Sequence, residues 1–261
     1  MSAFFKAVGV KARIINALFI HALLTEHGKT KIGYLTALAK PLGQIVMLTT
    51  MFTILGRATP IGDSLVLFLA TGIIAYNLCM GLTNKMLKMN KQYRSILNST
   101  HASPFDISIA FLLSETLILI LISMIILIGL GNLGYWDHKI DNLIGILLTT
   151  IASIALGYGV GLFNASVSAI IPAYEKVWKI LSMPLFLTSG VIFVADQRFP
   201  PSVIAIIKYN PLLHIVESMR DSFYRSWEST LFELSYVLWF ILCSTLAGLL
   251  MQKITQKRVR V

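Results

Sequence analysis

The side chains able to do covalent chemistry are few in this chain and do not converge. Gly28-Lys29-Thr30 has the ending of a nucleotide-phosphate loop. That loop needs a further glycine five positions upstream, where Leu23 stands, so the chain is not expected to hydrolyse ATP itself. The five histidines, His21, His27, His101, His138 and His214, form no i, i+4 pair and have no cysteine or acidic residue at metal-ligand spacing, which argues against a metallohydrolase. Cys79 and Cys243 fall inside apolar stretches and read as small apolar residues rather than as a disulfide framework. Gly157-Tyr158-Gly159 shares letters with a potassium filter but sits inside a long apolar stretch, where close helix packing is its expected role. Glu115 is the one acid within a hydrophobic stretch. A buried acid is costly enough to suggest function, yet its place near the end of the stretch favours a structural hydrogen bond over proton coupling.

Two polar segments carry more information than any catalytic motif. In Asn84–Pro104, Lys85, Lys88, Lys91 and Arg94 recur at helical spacing with Met86, Met89 and Ile96 between them. The pattern predicts a short amphipathic helix that lies on anionic headgroups or meets a cytosolic partner, with simple topogenic charge as the alternative. Between Asp196 and Glu233, basic Arg198, Lys208, Arg220 and Arg225 alternate with aromatic Phe199, Tyr209, Phe223, Tyr224 and Trp227. Pro200-Pro201 and Asn210-Pro211 punctuate this segment into short helices, too apolar for a free loop and too short to cross. Such backbone is tolerated at membrane depth only inside protein or along a wet cavity. Its arginines can pair with anionic groups and its aromatics can stack on sugar rings; the alternative is an interfacial helical cap with an aromatic belt.

These segments must be positioned by membrane-spanning helices. Hydrophobic residues make up 56% of the 261 and charged residues only 13%, and the mean hydropathy is +0.76, outside the range of ordinary soluble domains. Six apolar stretches bounded by charge run Pro41–Gly56, Ser64–Asn84, Thr116–Trp136, Asn142–Tyr174, Ile180–Ala195 and Leu234–Gln252. Each is read as a helix, because an open sheet leaves backbone groups unpaired in lipid. The fold class expected is therefore an all-α integral membrane protein of six transmembrane helices, with re-entrant helices between the fifth and sixth. The first and fifth stretches are short and cross only if Lys40, Arg57 and Lys179 snorkel. The fourth is long, and Pro172 supplies a reason for it to end.

The net charge of +10 is explained by topology rather than by nucleic acid. Six Lys/Arg in residues 1–40, four between Asn84 and Pro104, two around Glu175 and four in Lys253–Val261 fall in alternate connections, sixteen of the twenty-two in all. The other side carries six basic residues against eight acids. The positive-inside rule then puts both termini in the cytoplasm. Lys6, Lys11 and Arg13 interrupt the N-terminal apolar residues, so no cleavable signal peptide is expected. Phe4, Val8, Ile15 and Phe19 at near-helical spacing predict an interfacial amphipathic helix within residues 1–38 instead.

With these elements in place, the chain resembles the membrane subunits of ABC-2 type ABC exporters, and within them the KpsM-like permeases that export capsular polysaccharide. The layout matches: an interfacial N-terminal helix, a six-helix domain over 39–261, a basic loop at 84–104 and re-entrant helices at 196–233. So do Ile32-Gly33-Tyr34-Leu35 through Lys40-Pro41, Met183-Pro184-Leu185-Phe186 with Ser189-Gly190, and Tyr209-Asn210-Pro211-Leu212-Leu213-His214 followed by Glu217 and Arg220. The chain departs from the family at Lys40, where a glutamate is frequent. Exporters of O-antigen, teichoic acid, lipid or drugs share this layout, and an ion-coupled secondary transporter using Glu115 is the reading from another class, although no internal repeat is evident.

The resemblance implies a homodimer in the bacterial inner membrane, joined to two copies of a separate ABC ATPase that holds the ATP and magnesium. This chain itself would have no cofactor, metal or catalytic residue. It implies that Lys88, Lys91 and Arg94 belong to a coupling helix seated on the ATPase. It also implies a channel for a lipid-linked polysaccharide, with Tyr34, Arg57, Tyr158, Arg198 and Arg220 as candidates along the path and Asn210, Pro211, His214 and Glu217 as an exit-segment motif. A periplasmic adaptor and an outer-membrane export protein are the further partners implied.

Overall fold

A computed structural model describes residues 2–26, 31–93, 96, 102–136, 140–225 and 227–259. Gly28-Lys29-Thr30 and Arg94 lie outside the described residues, as does the Tyr34 side chain. Among the described residues every regular element is a helix: α1 (Ser2–Glu26), α2 (Lys31–Ile54), α3 (Leu65–Gln92), α4 (Pro104–Asn132), α5 (Leu143–Ile170), α6 (Tyr174–Leu187), α7 (Ala195–Arg198), α8 (Pro201–Ile207), α9 (Pro211–Phe223) and α10 (Leu234–Val259). Five contain segments long and apolar enough to cross a bilayer: Leu35–Ile54, Leu65–Gln92, Pro104–Asn132, Leu143–Ile170 and Leu234–Gln256. α3 is the centre of the bundle. Its most apolar window is 78% buried, whereas α10's is 11% buried.

Several boundaries differ from the apolar stretches. α4 starts at Pro104 rather than Thr116, set by the Ser103–Asp106 capping box, so Glu115 lies within the helix, and α10 runs on past Gln252 to Val259. α3 continues past Asn84 to Gln92, so Lys85, Lys88 and Lys91 stand on its last turns rather than on a separate helix. At 1.5 Å per residue its 28 residues exceed a hydrocarbon core of about 30 Å, and the lysines reach the interface without a break. α2 begins at Lys31 and runs through Pro41, so residues 31–38 belong to the same helix as the first apolar stretch. α6 starts at Tyr174 and stops at Leu187, where the stretch 180–195 suggested one helix. Beyond it the chain turns, with Gly190 at φ +75°, a conformation open to glycine at no steric cost. α5, by contrast, is one unbroken helix that ends at Ile170, because Ile171 is held extended (φ −120°, ψ 93°) before Pro172.

The segment from α6 to Val191 nonetheless follows α3 from Lys91 to Gly72. Glu175 pairs with Lys91, the Trp178 indole donates to Asn84 Oδ1 at 2.9 Å, and Phe186 meets Tyr76 edge-on at 5.0 Å. A Cβ on Gly72 would lie 3.3 Å from Val191 Cα. At one end of the bundle Gln252 donates to Pro104 O at 3.0 Å, and α1 buries Leu18 and Ala22 in a cluster with Met89, Tyr93, Ile107 and Phe111. The N-terminal helix and the end of α10 therefore share one side. At the opposite end Asn142 N donates to Ser222 O at 3.0 Å, and Trp136 packs on Phe223.

Three of the long helices start on side-chain caps, which satisfy backbone groups that lipid cannot. Ser64 caps α3, Asn142 caps α5, and Ser103 with Asp106 forms a reciprocal capping box on α4. Between helices the packing is set by small residues. A Cβ on Gly157 would lie 2.5 Å from Cys79 O, one on Gly161 2.9 Å from Met86 Cβ, and one on Gly159 2.7 Å from Thr245 Oγ1. α5 is thus pressed against α3 on one face and α10 on another. The Thr83 hydroxyl donates to Gly157 O at 3.1 Å and Asn90 donates to Ala165 O at 2.8 Å, the interhelical bonds that close backbone approach permits.

This packing predicts that Gly157→Ala lowers stability by about 1–3 kcal/mol, the usual cost of overpacking. Gly129→Ala, with nothing within 4 Å of the added carbon, should be neutral or stabilising by up to about 1 kcal/mol through helix propensity. Thermal unfolding of the detergent-solubilised protein compares the two.

Candidate functional site

The most constrained point of the molecule is the Arg220 side chain on α9, which is 0% exposed. Its Nη1 donates to Gly190 O at 2.7 Å and to Phe193 O at 3.3 Å, and its Nη2 donates to Val191 O at 2.7 Å. These carbonyls belong to the turn where α6 has ended, where Gly190 O has only a long second bond, from Phe193 N at 3.4 Å, and a carbonyl left unpaired in an apolar surrounding costs several kcal/mol. The planar fork of arginine presents donors in two directions and satisfies them together. Phe68 of α3 lies under the guanidinium, 3.9 Å from its centroid, adding a cation–π contact. Gly72, one turn on, leaves the room: a Cβ there would stand 2.8 Å from Nη2.

The remainder of α9 is pinned by the residues around Arg220. Asn210 caps the helix by accepting from Leu212 N at 3.0 Å, and its amide donates to Leu185 O at 3.0 Å and Thr188 Oγ1 at 2.8 Å. Pro211 follows at the first helical position, where its missing N–H costs nothing. Glu233 N donates to His214 Nδ1 at 3.2 Å, which leaves Nε2 carrying the proton it donates to Lys208 O at 2.7 Å. Glu217 accepts from the Ser229 hydroxyl at 3.0 Å and is attracted to Arg220. All of these side chains are turned into the protein.

Arg57 and Arg198 are brought together in a separate place. They line a pocket of about 400 Å³ with Phe52, Thr59, Phe193 and Gln197, and its wall includes Phe68, the ring that also carries Arg220. Both arginines are exposed, Arg57 lies 4.8 Å over the Phe52 ring, and no acid lines the pocket. A cavity of cations and aromatic faces without a counter-charge suits an anionic ligand with apolar or ring faces. Tyr158 is elsewhere: its hydroxyl meets Ser108 Oγ at 3.1 Å between α5 and α4.

On the other side of the bundle Lys88 is exposed on the last turns of α3, while Lys91 is engaged by Glu175. Lys85 pairs with the fully buried Glu115 of α4, the structural bond expected for that acid. Sequence reasoning did not find Phe68, Gly72 or Phe52. Their types are ordinary in a membrane helix, and the only signal was a glycine in mid-span. Among the described residues no three His, Cys, Asp or Glu side chains come together to hold a metal ion.

The profile of the ABC-2 type transporters matches residues 16–224. The chain is 28% identical to the polysialic acid transport protein KpsM of Escherichia coli over 235 residues, 90% of each chain. It is 23% identical to the capsule polysaccharide export inner-membrane protein CtrC of Neisseria meningitidis serogroup A, over 95% of this chain and 93% of that one. With the corresponding protein BexB of Haemophilus influenzae the identity is 21%, over 97% and 94%.

Arg220→Leu is expected to destabilise the protein by about 3 kcal/mol or more, because it strands several buried carbonyls at once. Arg220→Lys should restore little of this, since a point-like ammonium cannot span the same set. Thermal unfolding that finds the lysine variant as stable as the parent contradicts the anchoring role.

Proposed function

The chain belongs to the ABC-2 type transporter family, and from that premise we propose that it is the permease subunit of an ATP-driven exporter that carries lipid-linked acidic capsular polysaccharide across the bacterial inner membrane. The observation that carries the substrate class is the pocket of Arg57 and Arg198 with its aromatic walls and no acid. Repeating acidic sugars offer the carboxylates and ring faces that such a lining holds and releases stepwise. The names of the relatives, a polysialic acid transport protein and capsule export proteins, agree with that chemistry.

In this reading the segment from Tyr174 to Val191 is a sixth crossing, supported by its contacts with α3 from Lys91 to Gly72. α8 and α9 are re-entrant helices on the periplasmic side, held by Asn210 and Arg220. Both termini are cytoplasmic, in line with the charge asymmetry. The chain performs no catalysis. ATP and magnesium are bound by a separate ATPase, two copies of which join a homodimer of this permease. A periplasmic adaptor and an outer-membrane export protein complete the route. The basic end of α3 with the following connection, carrying Lys88, Lys91 and Arg94, seats on the ATPase. Nucleotide binding acts by favouring one arrangement of the helices over another, since a ligand of equal affinity for both shifts nothing.

The test is co-purification with a candidate ABC ATPase subunit. Lys88→Glu, at an exposed position that leaves the Lys91–Glu175 pair intact, combined with Arg94→Glu, should lower recovered ATPase and its stimulated activity at least tenfold. Unchanged assembly and activity would contradict the coupling role. Arg57→Ala with Arg198→Ala should leave assembly intact and cut polymer export about tenfold or more, the loss expected for two charge-assisted contacts.

A further inference from the structure

A second cavity, of about 380 Å³, lies between α2, α3 and α4. One face of α3 forms its floor, from Ile74 through Leu78, Gly81 and Lys85 to Lys88 and Gln92. That spacing of three to four residues keeps to one side of the helix, and at 1.5 Å per residue the floor is about 27 Å long. Its chemistry is graded along this length. Lys40, Lys85 and Lys88 converge at one end, whereas the other end is walled by Ile74, Ile118, Ile122 and Ile126.

The basic end carries excess charge. Lys40 and Lys85 repel one another, no acid is among the residues lining the groove, and among the described residues the carboxylate that meets these three ammonium groups is Glu115, paired with Lys85. The polar side chains along the groove are turned to protein partners. Ser123 donates to Leu119 O at 2.8 Å, Thr36 to Gly33 O at 2.9 Å, and Asn77 to Gln44 Oε1 at 2.9 Å. What remains for an occupant is a cationic mouth at the interface leading into a hydrocarbon-lined slot within the membrane. A soluble anion fills only the mouth. A neutral lipid fills only the slot.

We propose that this groove is a binding site for an anionic phospholipid of the adjacent leaflet, its phosphate held by Lys40, Lys85 and Lys88 and one acyl chain laid along α3 and α4. The phosphate compensates the surplus positive charge at the point where α3 leaves the bilayer, and the chain packs on the half-buried Leu119 and Ile122 against a back wall of the buried Ile74, Ile118 and Ile126. The site is distinct from the arginine pocket at the opposite end of α3 and does not depend on the nature of the transported cargo.

Native mass spectrometry of the detergent-purified protein, titrated with phosphatidylglycerol, diacylglycerol of the same chains and inorganic phosphate, tests this directly. The expected result is one phosphatidylglycerol per chain, retained at least tenfold more tightly than either diacylglycerol or phosphate. Lys40→Gln with Lys88→Gln should weaken phosphatidylglycerol at least tenfold and leave diacylglycerol unchanged. Ile122→Trp, which narrows the slot, should weaken both lipids. Equal phosphatidylglycerol affinity in the parent and the double-lysine variant overturns the proposal. Diacylglycerol binding as well as phosphatidylglycerol also overturns it, and phosphate binding as tightly as the lipid replaces it with a soluble-anion site. No ATPase enters the readout, so the outcome is independent of the coupling assigned to Lys88.

Discussion

A helix that ends inside a membrane protein leaves carbonyls that water cannot reach, and the arrangement of this molecule turns on how those of Gly190, Val191 and Phe193 are satisfied. The guanidinium of Arg220 takes all three. Because it comes from α9, the same contact fixes α9 to the turn after α6. Because it stacks on Phe68 and fills the space left by Gly72, it also ties both to α3. One cation therefore joins three segments that are distant in sequence, and pairs its own buried charge with carbonyls that are costly to bury alone.

α3 is the member to which the rest is referred. Gly157 and Gly161 bring α5 within backbone contact of it, and the segment after Tyr174 tracks it from Lys91 to Gly72. Its two ends carry opposite tasks. One bears the lysines at the near interface, and the other supplies Phe68 to both the Arg220 anchor and the arginine pocket. On the transport reading a rigid, buried helix with an ATPase-facing end and a substrate-facing end is a direct mechanical link, since packed interfaces shift between discrete arrangements rather than deform continuously.

Much of this was legible in residue order. The apolar stretches located the five long helices, because hydropathy over about 20 residues reports the membrane solvent directly. Pro172 marked the end of α5, and the paired glycines marked close packing. Arg57 and Arg198 were singled out separately and meet in one pocket. The extension of α3 was hidden, since lysines at 85, 88 and 91 look like the end of a span when they are its exit through the interface. The short α6 was hidden too, because the turn after Leu187 is as apolar as the helix before it. Arg220 looked like a group offered to a ligand, and its enclosure by Phe68 and Gly72 depends on long-range packing that no local pattern encodes.

On the transport reading this chain moves an acidic, lipid-linked polymer at the expense of ATP. Inverted inner-membrane vesicles containing the chain and its ATPase, loaded from outside with the lipid-linked polymer and then treated with a glycosidase, measure this directly. Protection of the polymer that requires ATP, both subunits and the Arg57/Arg198 pocket is the predicted result. Protection that persists without the ATPase and follows a proton gradient would contradict the account.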